Sequence, residues 1–452
     1  MSHSTQASAA PITPAKQIVH IGLGAFHRAH QAWYTSQVAS NTEWGIVAFT
    51  GRSAKAAQEL AAQNGRYTLV TRSVEGDQFE VIDSIVRAED GNDTQVFVDA
   101  ITDPKTAIVT LTITEAGYGM DASGHVDTVN PPASLHRLAV ALETRRRVNG
   151  QPIAVVSCDN MPSNGALLKV AMTDLFASFG PESTEWLNQS VSFVSTSIDR
   201  ITPKTTDEDI ALVEAATGWA DKCPVVTEPF SDWVLEGEFP LGRPEWQNAG
   251  AKFVDHIEPF ENRKLWLLNG AHSLLAYAGA LRGHQTVAEA IADPVCFGWV
   301  KDFWAEAVNH LPAKDLDLAT YQSALLSRFG NGKIAHRLAQ IAIDGSTKLR
   351  VRVAPTAKAE MAAGRDASAC AVAIAAWVQF VIEHDGRVED SQAERILQIV
   401  QSATQGVDEG IHVSNTDQLV RDLVAVIDTD LSANAEFMTR VQNQTSRKEE
   451  IC

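Results

Sequence analysis

A chain of 452 residues with 45% apolar and 21% charged residues has enough material for two domains, each with its own core. Its net charge of −19 works against nucleic acid and anionic membrane, which both reward clusters of Lys and Arg, but leaves open an anionic small molecule held in a local basic pocket. Five scattered cysteines (Cys158, Cys223, Cys296, Cys370 and Cys452) show no CxxC or Cys/His spacing, which argues against a structural zinc or a disulfide framework.

No apolar run reaches the ~20 residues of a membrane span. The opening MSHSTQASAAPITPAK lacks the apolar centre of a signal peptide and reads as a disordered polar tail over 1–15, so a cytoplasmic protein is expected. The first strand is predicted in QIVHIGL, followed by a helix from about Arg28 to Ser40. WGIVAFTGR is the next strand and AKAAQELAAQ the next helix. TAIVTLTIT and PIAVVSCDN are β-branched runs of the kind buried on both faces of a parallel sheet, with a helical pattern between them in PASLHRLAVALETRRRV. VSFVSTSIDRITP adds a strand, stopped by Pro203. This alternation predicts a Rossmann-type doubly wound α/β domain over 16–255. From about Ile257 the stretches KLWLLNGAHSLLAYAGALRG, DPVCFGWVKDFWAEAVNHL, LATYQSALLSRFG, IAHRLAQIAIDG and CAVAIAAWVQFVIEH predict a mostly α-helical C-terminal domain over 256–452, the substrate domain.

The candidate nucleotide loop is IGLGAFHRAH. Gly22 allows a tight turn after the strand, and Gly24 lets the backbone approach a pyrophosphate at the start of the next helix. His27 stands where a third glycine would normally let helix and strand pack closely. Gly22, Gly24, Ala25 and Phe26 are the cofactor-binding candidates here. Arg52 joins them at the end of the second strand, where Thr50, Gly51 and Arg52 replace the usual acidic ribose ligand. An arginine there can accept the 2′-phosphate of NADP or simply cover the adenine.

The richest polar pattern is Lys264-x4-Asn269-x2-His272. At α-helical pitch Asn269 lies ~140° and His272 ~80° around the axis from Lys264, so all three can reach one cleft while Leu265, Leu268 and Leu275 pack elsewhere. A lysine buried among apolar residues has its charged form disfavoured, which suits a general base. Asn and His can donate to a developing alkoxide, although the same pattern also serves as capping or core polar groups. Asn160 and Asp199 end two strands, the place where open α/β sheets bind ligands. A helix cap for Asp159–Asn160 and an ion pair for Asp199–Arg200 are the structural alternatives.

Together the stretches IVHIGLGAFHRAHQAWYT, TLTITEAGY, SCDN, IDRITP, TEPFSDWVLEGEFPLGRPEW, KLWLLNGAHSLLAY and IDGSTK resemble the mannitol dehydrogenase family of long-chain polyol oxidoreductases. They run in order from residue 18 to residue 348. The resemblance implies metal-independent hydride transfer with NAD, NADP being the alternative. It makes Lys264 the general acid/base, with Asn160 and Asn269 holding the reacting oxygen and His272 assisting. Asp199 would line the site and Lys348 would reach the substrate. The implied partner is a small polyol, ketose or sugar acid, with no nucleic acid or membrane. A mannitol 2-dehydrogenase (D-mannitol/D-fructose) leads. Fructuronate reductase and mannitol-1-phosphate 5-dehydrogenase are the alternatives, and a catalytically silent nucleotide sensor is the non-enzyme reading. Gln340 stands where an arginine is expected in some mannitol 2-dehydrogenases, and Arg350 and Arg352 could meet a carboxylate or phosphate or be solvated charges. Monomer and oligomer are both compatible with the sequence.

Overall fold

The computed structural model describes residues 13–51, 53–121, 123–312, 314, 316–334, 336–404 and 416–446, and the chain divides into two compact units between Glu258 and Pro259. Most of the polar tail expected over 1–15, and Arg52, lie outside the described residues.

The strands of the first unit are β1 Lys16–Ile21, β2 Trp44–Phe49, β3 Tyr67–Ser73, β4 Gly76–Ile82, β5 Ile85–Glu89, β6 Thr106–Leu111, β7 Ile153–Ser157, β8 Val191–Asp199, β9 Val225–Thr227, β10 Asp232–Glu236 and β11 Lys252–Phe253. Eight of them form one sheet in the order β11-β10-β8-β7-β6-β1-β2-β5. From β8 to β5 every neighbouring pair is parallel; β10 then runs antiparallel to β8. Numbered by their succession within the parallel part, the six strands follow the dinucleotide-binding order 3-2-1-4-5-6. The doubly wound sheet expected from the alternation of elements is therefore present.

Its strands are continuous apolar runs because helices cover both faces. Ile18, Ile46, Ile108, Ala154 and Val156 pack into the core on one face. Val19, Ile21, Val47, Phe49, Val109, Leu111 and Val155 pack into the core on the other. The hairpin β3–β4, not expected from the sequence, pairs with β9 in a second, three-stranded sheet.

His20 is a polar residue in the middle of β1. Its ring lies 2.8 Å from Thr110 Oγ1 and 3.1 Å from Thr112 Oγ1, so β6 and the residue just beyond it satisfy both nitrogens. His27 stacks flat on it with ring centroids 3.3 Å apart and an interplanar angle of 9°. A ring pair thus fills the place where a third glycine would have brought the helix against the strand. The helix expected from Arg28 to Ser40 is two pieces, Ala25–Ala29 and Gln31–Val38, broken at His30. The His30 ring is held against Trp233 and reaches the Asp232 carbonyl, and this takes its backbone out of helical geometry.

In the second unit the helix Ala271–Leu281 is buried on nearly every side, as a central helix must be, and it packs against Ser368–Glu383. The segment predicted as one helix with it, 264–270, winds instead as a π-helix. IAHRLAQIAIDG also gives less helix than expected, only Leu338–Ala342. Arg337 before it is drawn into a β-bridge with Thr286, and Asp344 after it takes a left-handed conformation, φ +56°.

Burial presses the pKa of His20 from 6.5 down to about 3, so the folded protein holds this ring neutral. Its contribution to stability is complete above about pH 6.5 and is lost as pH falls toward 3, because the unfolded chain takes up the proton first. The stability difference between wild type and His20→Asn is therefore expected to shrink as pH falls from 7 to 4 in denaturant titrations. A difference independent of pH would contradict this.

Candidate active site

In the first unit the candidate residues share the edge formed by the C-terminal ends of the parallel strands. Gly22 leaves β1 at φ +104°, and a Cβ there would strike the backbone carbonyl of Thr112, so only glycine fits the turn. The Gly22 and Leu23 amides donate to the Phe49 carbonyl at 2.9 Å, and Thr112 Oγ1 donates to the Gly22 carbonyl at 2.9 Å. The loop is thereby tied to the ends of β2 and β6, the strands flanking the point where strand order reverses, which is where such sheets take nucleotides. Gly24 is extended and has open space at its Cβ position, with only the Gly22 carbonyl 3.6 Å away. Ala25 and half-buried Phe26 open the next helix. Thr50 carries no acid for a ribose; its Oγ1 accepts from the Gly91 amide at 3.0 Å.

At the neighbouring strand ends, Asn160 is exposed just beyond β7 and Asp199 is buried as the last residue of β8. Asp159 does not cap the following helix. It accepts from the Thr114 amide at 2.7 Å and the Tyr118 hydroxyl at 2.9 Å, bridging the ends of β6 and β7. Thr114 has φ +66°, ψ 161°, a conformation β-branched residues avoid, and the Asp159 carboxylate pins it there. Arg200 serves the framework: it donates to the Ala29 carbonyl at 2.6 Å and lies 4.3 Å over the Trp33 ring.

In the second unit, Lys264, Asn269 and His272 lie on one continuous run of helix. The wide turn from 264 to 270 corrects the α-helical estimate, since i→i+5 bonding turns less per residue and brings residues five apart closer in angle. Lys264 and Asn269 therefore project closer together than α-pitch allows. Both are half-buried, so Lys264 is not sunk in the core as its apolar neighbours suggested. His272 is buried, with its ring against Phe329 and edge-on to His336, each at 4.9 Å. Burial first, then the charges of His336, Arg328, Arg352 and Lys348, push its pKa well below the usual value, and the imidazole is neutral. Its Nε2 is buried without a hydrogen-bond partner among the described residues.

Lys348 lies on the helix Gly345–Arg352, half-buried, and donates to the Ile341 carbonyl at 3.0 Å. Burial and Arg352 lower its pKa. Arg352 donates to the Asn269 carbonyl at 3.4 Å and Ser273 Oγ at 3.1 Å, and Arg350 to the carbonyls of Ile427 and Val426. Gln340 is exposed. Local spacing gives no signal for His336, Thr114 or the hydrogen bonds of Arg352. No group of three or more His, Cys, Asp or Glu among the described residues could hold a metal ion, and no helix among them is long and apolar enough to cross a membrane.

The class of protein, an oxidoreductase acting on CH–OH donors, follows from family membership. Residues 16–248 match the mannitol dehydrogenase Rossmann domain and 256–448 the mannitol dehydrogenase C-terminal domain; the chain belongs to the mannitol dehydrogenase family. It is 32% identical to the D-mannonate oxidoreductase of Escherichia coli (strain K12), covering 96% of this chain and 93% of that protein. It is 33% identical to the mannitol 2-dehydrogenase of Cereibacter sphaeroides, covering 80% of each. The structure of the Pseudomonas fluorescens mannitol 2-dehydrogenase in ternary complex with NAD and D-mannitol matches with a TM-score of 0.77 at 30% identity, over 97% of this chain and 93% of that one.

The strain at Thr114 has a measurable sign. An unfavourable backbone conformation costs about 1–3 kcal/mol, whereas glycine costs ~0.5–1 kcal/mol in chain entropy. Thr114→Gly is expected to leave Tm unchanged or raise it. A clear fall in Tm would show that the side chain, not the conformation, dominates there.

Proposed function

We propose that the protein catalyses NAD-dependent interconversion of a secondary alcohol of an open-chain polyol and its ketose, with D-mannitol and D-fructose as the leading pair. The observation that carries this reading is the wide turn that brings Lys264 and Asn269 to one side of a helix, with neutral His272 less than one turn further on. The mannitol 2-dehydrogenases among the relatives support the substrate. The cofactor is NAD. Its fit rests on the Gly22 turn and the open backbone at Gly24, with Ala25 and Phe26 beside them, at the point where strand order reverses. NADP is compatible with the absence of an acid at Thr50 and Gly51 and with an arginine, Arg52, next in the sequence.

When bound, NAD accepts the hydride released from the alcohol carbon. Lys264 Nζ, deprotonated, takes the hydroxyl proton, so the alcohol loses one hydride and one proton and becomes a ketone. The amides of Asn269 and Asn160 donate to the oxygen as negative charge develops, which stabilises the transition state more than the ground state. His272 binds a substrate hydroxyl through Nε2 without changing charge. Asp199 and Lys348 orient the remaining hydroxyls.

A second reading, a sugar acid as in mannonate oxidation, is favoured by the cations around His272. Lys348, Arg352 and Arg328 form a basic environment in an otherwise acidic protein, and the Escherichia coli D-mannonate oxidoreductase aligns over nearly the whole chain.

The test is NAD- and NADP-linked turnover of mannitol, arabinitol, mannonate and mannitol 1-phosphate, repeated with Lys264→Ala. The variant should lose about 10²–10⁴ in kcat, the usual contribution of a positioned acid/base, and keep its NAD affinity. Near-normal turnover in Lys264→Ala would place the base elsewhere; activity on mannonate alone would select the sugar-acid reading. Dialysis against a strong chelator should leave the rate unchanged. A loss that zinc restores would overturn the lysine mechanism.

A further inference from the structure

The π-helical turn that carries Lys264 and Asn269 is an uncommon conformation, rare beyond a single turn, and it runs directly into a regular α-helix. A free helix of this sequence would relax to α pitch and swing Asn269 to ~140° from Lys264. Something outside the turn must hold it, and two side chains from other helices reach its backbone. Trp304, buried on the helix Pro294–Val308, donates Nε1–H to the Leu267 carbonyl at 2.8 Å. Arg352 donates Nη1–H to the Asn269 carbonyl at 3.4 Å and to Ser273 Oγ, on the next turn, at 3.1 Å. Both braces come close because residue 270 is glycine: a Cβ there would lie 2.6 Å from the Phe303 ring and 3.3 Å from the Arg352 carbonyl. The helix bearing Arg352 is itself fixed at its start, where Gly345 sits against Tyr277 and Trp377 with no room for a side chain.

We propose that Trp304 and Arg352 are positioning residues that keep residues 264–270 in the wide turn, and so set turnover through the placement of Lys264 and Asn269 without touching the substrate. The proposal rests on the reading of Lys264 as the base. The guanidinium of Arg352 spans two acceptors on successive turns, which a lysine ammonium reaches less well. Burial lowers the Arg352 pKa to about 10, so the side chain still carries its charge at neutral pH.

The test compares Trp304→Phe, Arg352→Gln, Arg352→Lys and Ser273→Ala in the full-length enzyme with NAD, on mannitol and on mannonate. Trp304→Phe keeps an aromatic ring beside Phe329 and removes the donor, and because it also leaves a small cavity, Tm is measured beside kcat. Trp304→Phe and Arg352→Gln should each lower kcat, up to about 10²-fold, the cost of a misplacement near 1 Å. KM for NAD should stay unchanged, and the pH profile of kcat should shift. Arg352→Lys should recover part of the rate, and Ser273→Ala should show a smaller loss of the same kind. A mere loss of stability would lower Tm and leave the pH profile where it was. Normal kcat in Trp304→Phe and Arg352→Gln would overturn the proposal, as would an Arg352→Gln defect confined to KM for mannonate, which would make Arg352 a substrate ligand. If Lys264→Ala itself stays active, the underlying base assignment fails; if it is inactive while both brace variants turn over normally, only the present proposal fails.

Discussion

Parallel pairing of β1 with β2 on one side and β6 on the other sets the geometry of the first unit's candidate site. Six strands running the same way put all their C-terminal ends on one edge, and the chain must leave β1 there through a turn with almost no space. Gly22 makes that turn against the backbone of Thr112, and hydrogen bonds tie it to the ends of β2 and β6. The same edge carries strained Thr114, the Asp159 bridge, Asn160 and Asp199. A nucleotide loop, a backbone outlier and candidate polar ligands are thus consequences of one topology.

The helical unit solves a different problem, since regular α-helix spreads side chains evenly around an axis and cannot bring residues five apart together. A wide turn can, but only with external hydrogen bonds to hold it. Trp304 and Arg352 supply these from helices that are themselves locked by close packing at Gly270 and Gly345. The glycines at these two positions make the conformation possible because they admit neighbouring side chains to within contact distance.

Much of this was legible in the sequence. The β-branched runs at 106–111 and 153–157 read directly as buried parallel strands, and the switch to helical patterns near residue 257 marked the second unit. Gly22 was legible as a tight turn, because a glycine directly after a strand allows one. What escaped depends on partners that local spacing does not reveal. His27 breaks the glycine pattern because it stacks on His20, seven residues earlier on β1. A helix cap stood as one alternative for Asp159 because the groups that donate to it, on Thr114 and Tyr118, lie over forty residues away. The π-turn is invisible to a fixed angle of 100° per residue, and its braces come from 37 and 83 residues further along the chain.

The electrostatics of the helical unit bear on which group can move a proton. His272 is neutral for two reasons acting in the same direction: its ring is desolvated, and Arg328, His336, Arg352 and Lys348 surround it with positive or proton-accepting groups. His336, also largely desolvated, has its own pKa lowered by burial and Arg328. Any proton added to this pair would sit in a dry, already cationic region, so the imidazoles act as hydrogen-bond partners rather than as bases. A hydroxyl bound at the orphaned Nε2 of His272 would be oriented but not deprotonated there. The base proposed here is instead the half-buried Lys264, on the same helical run.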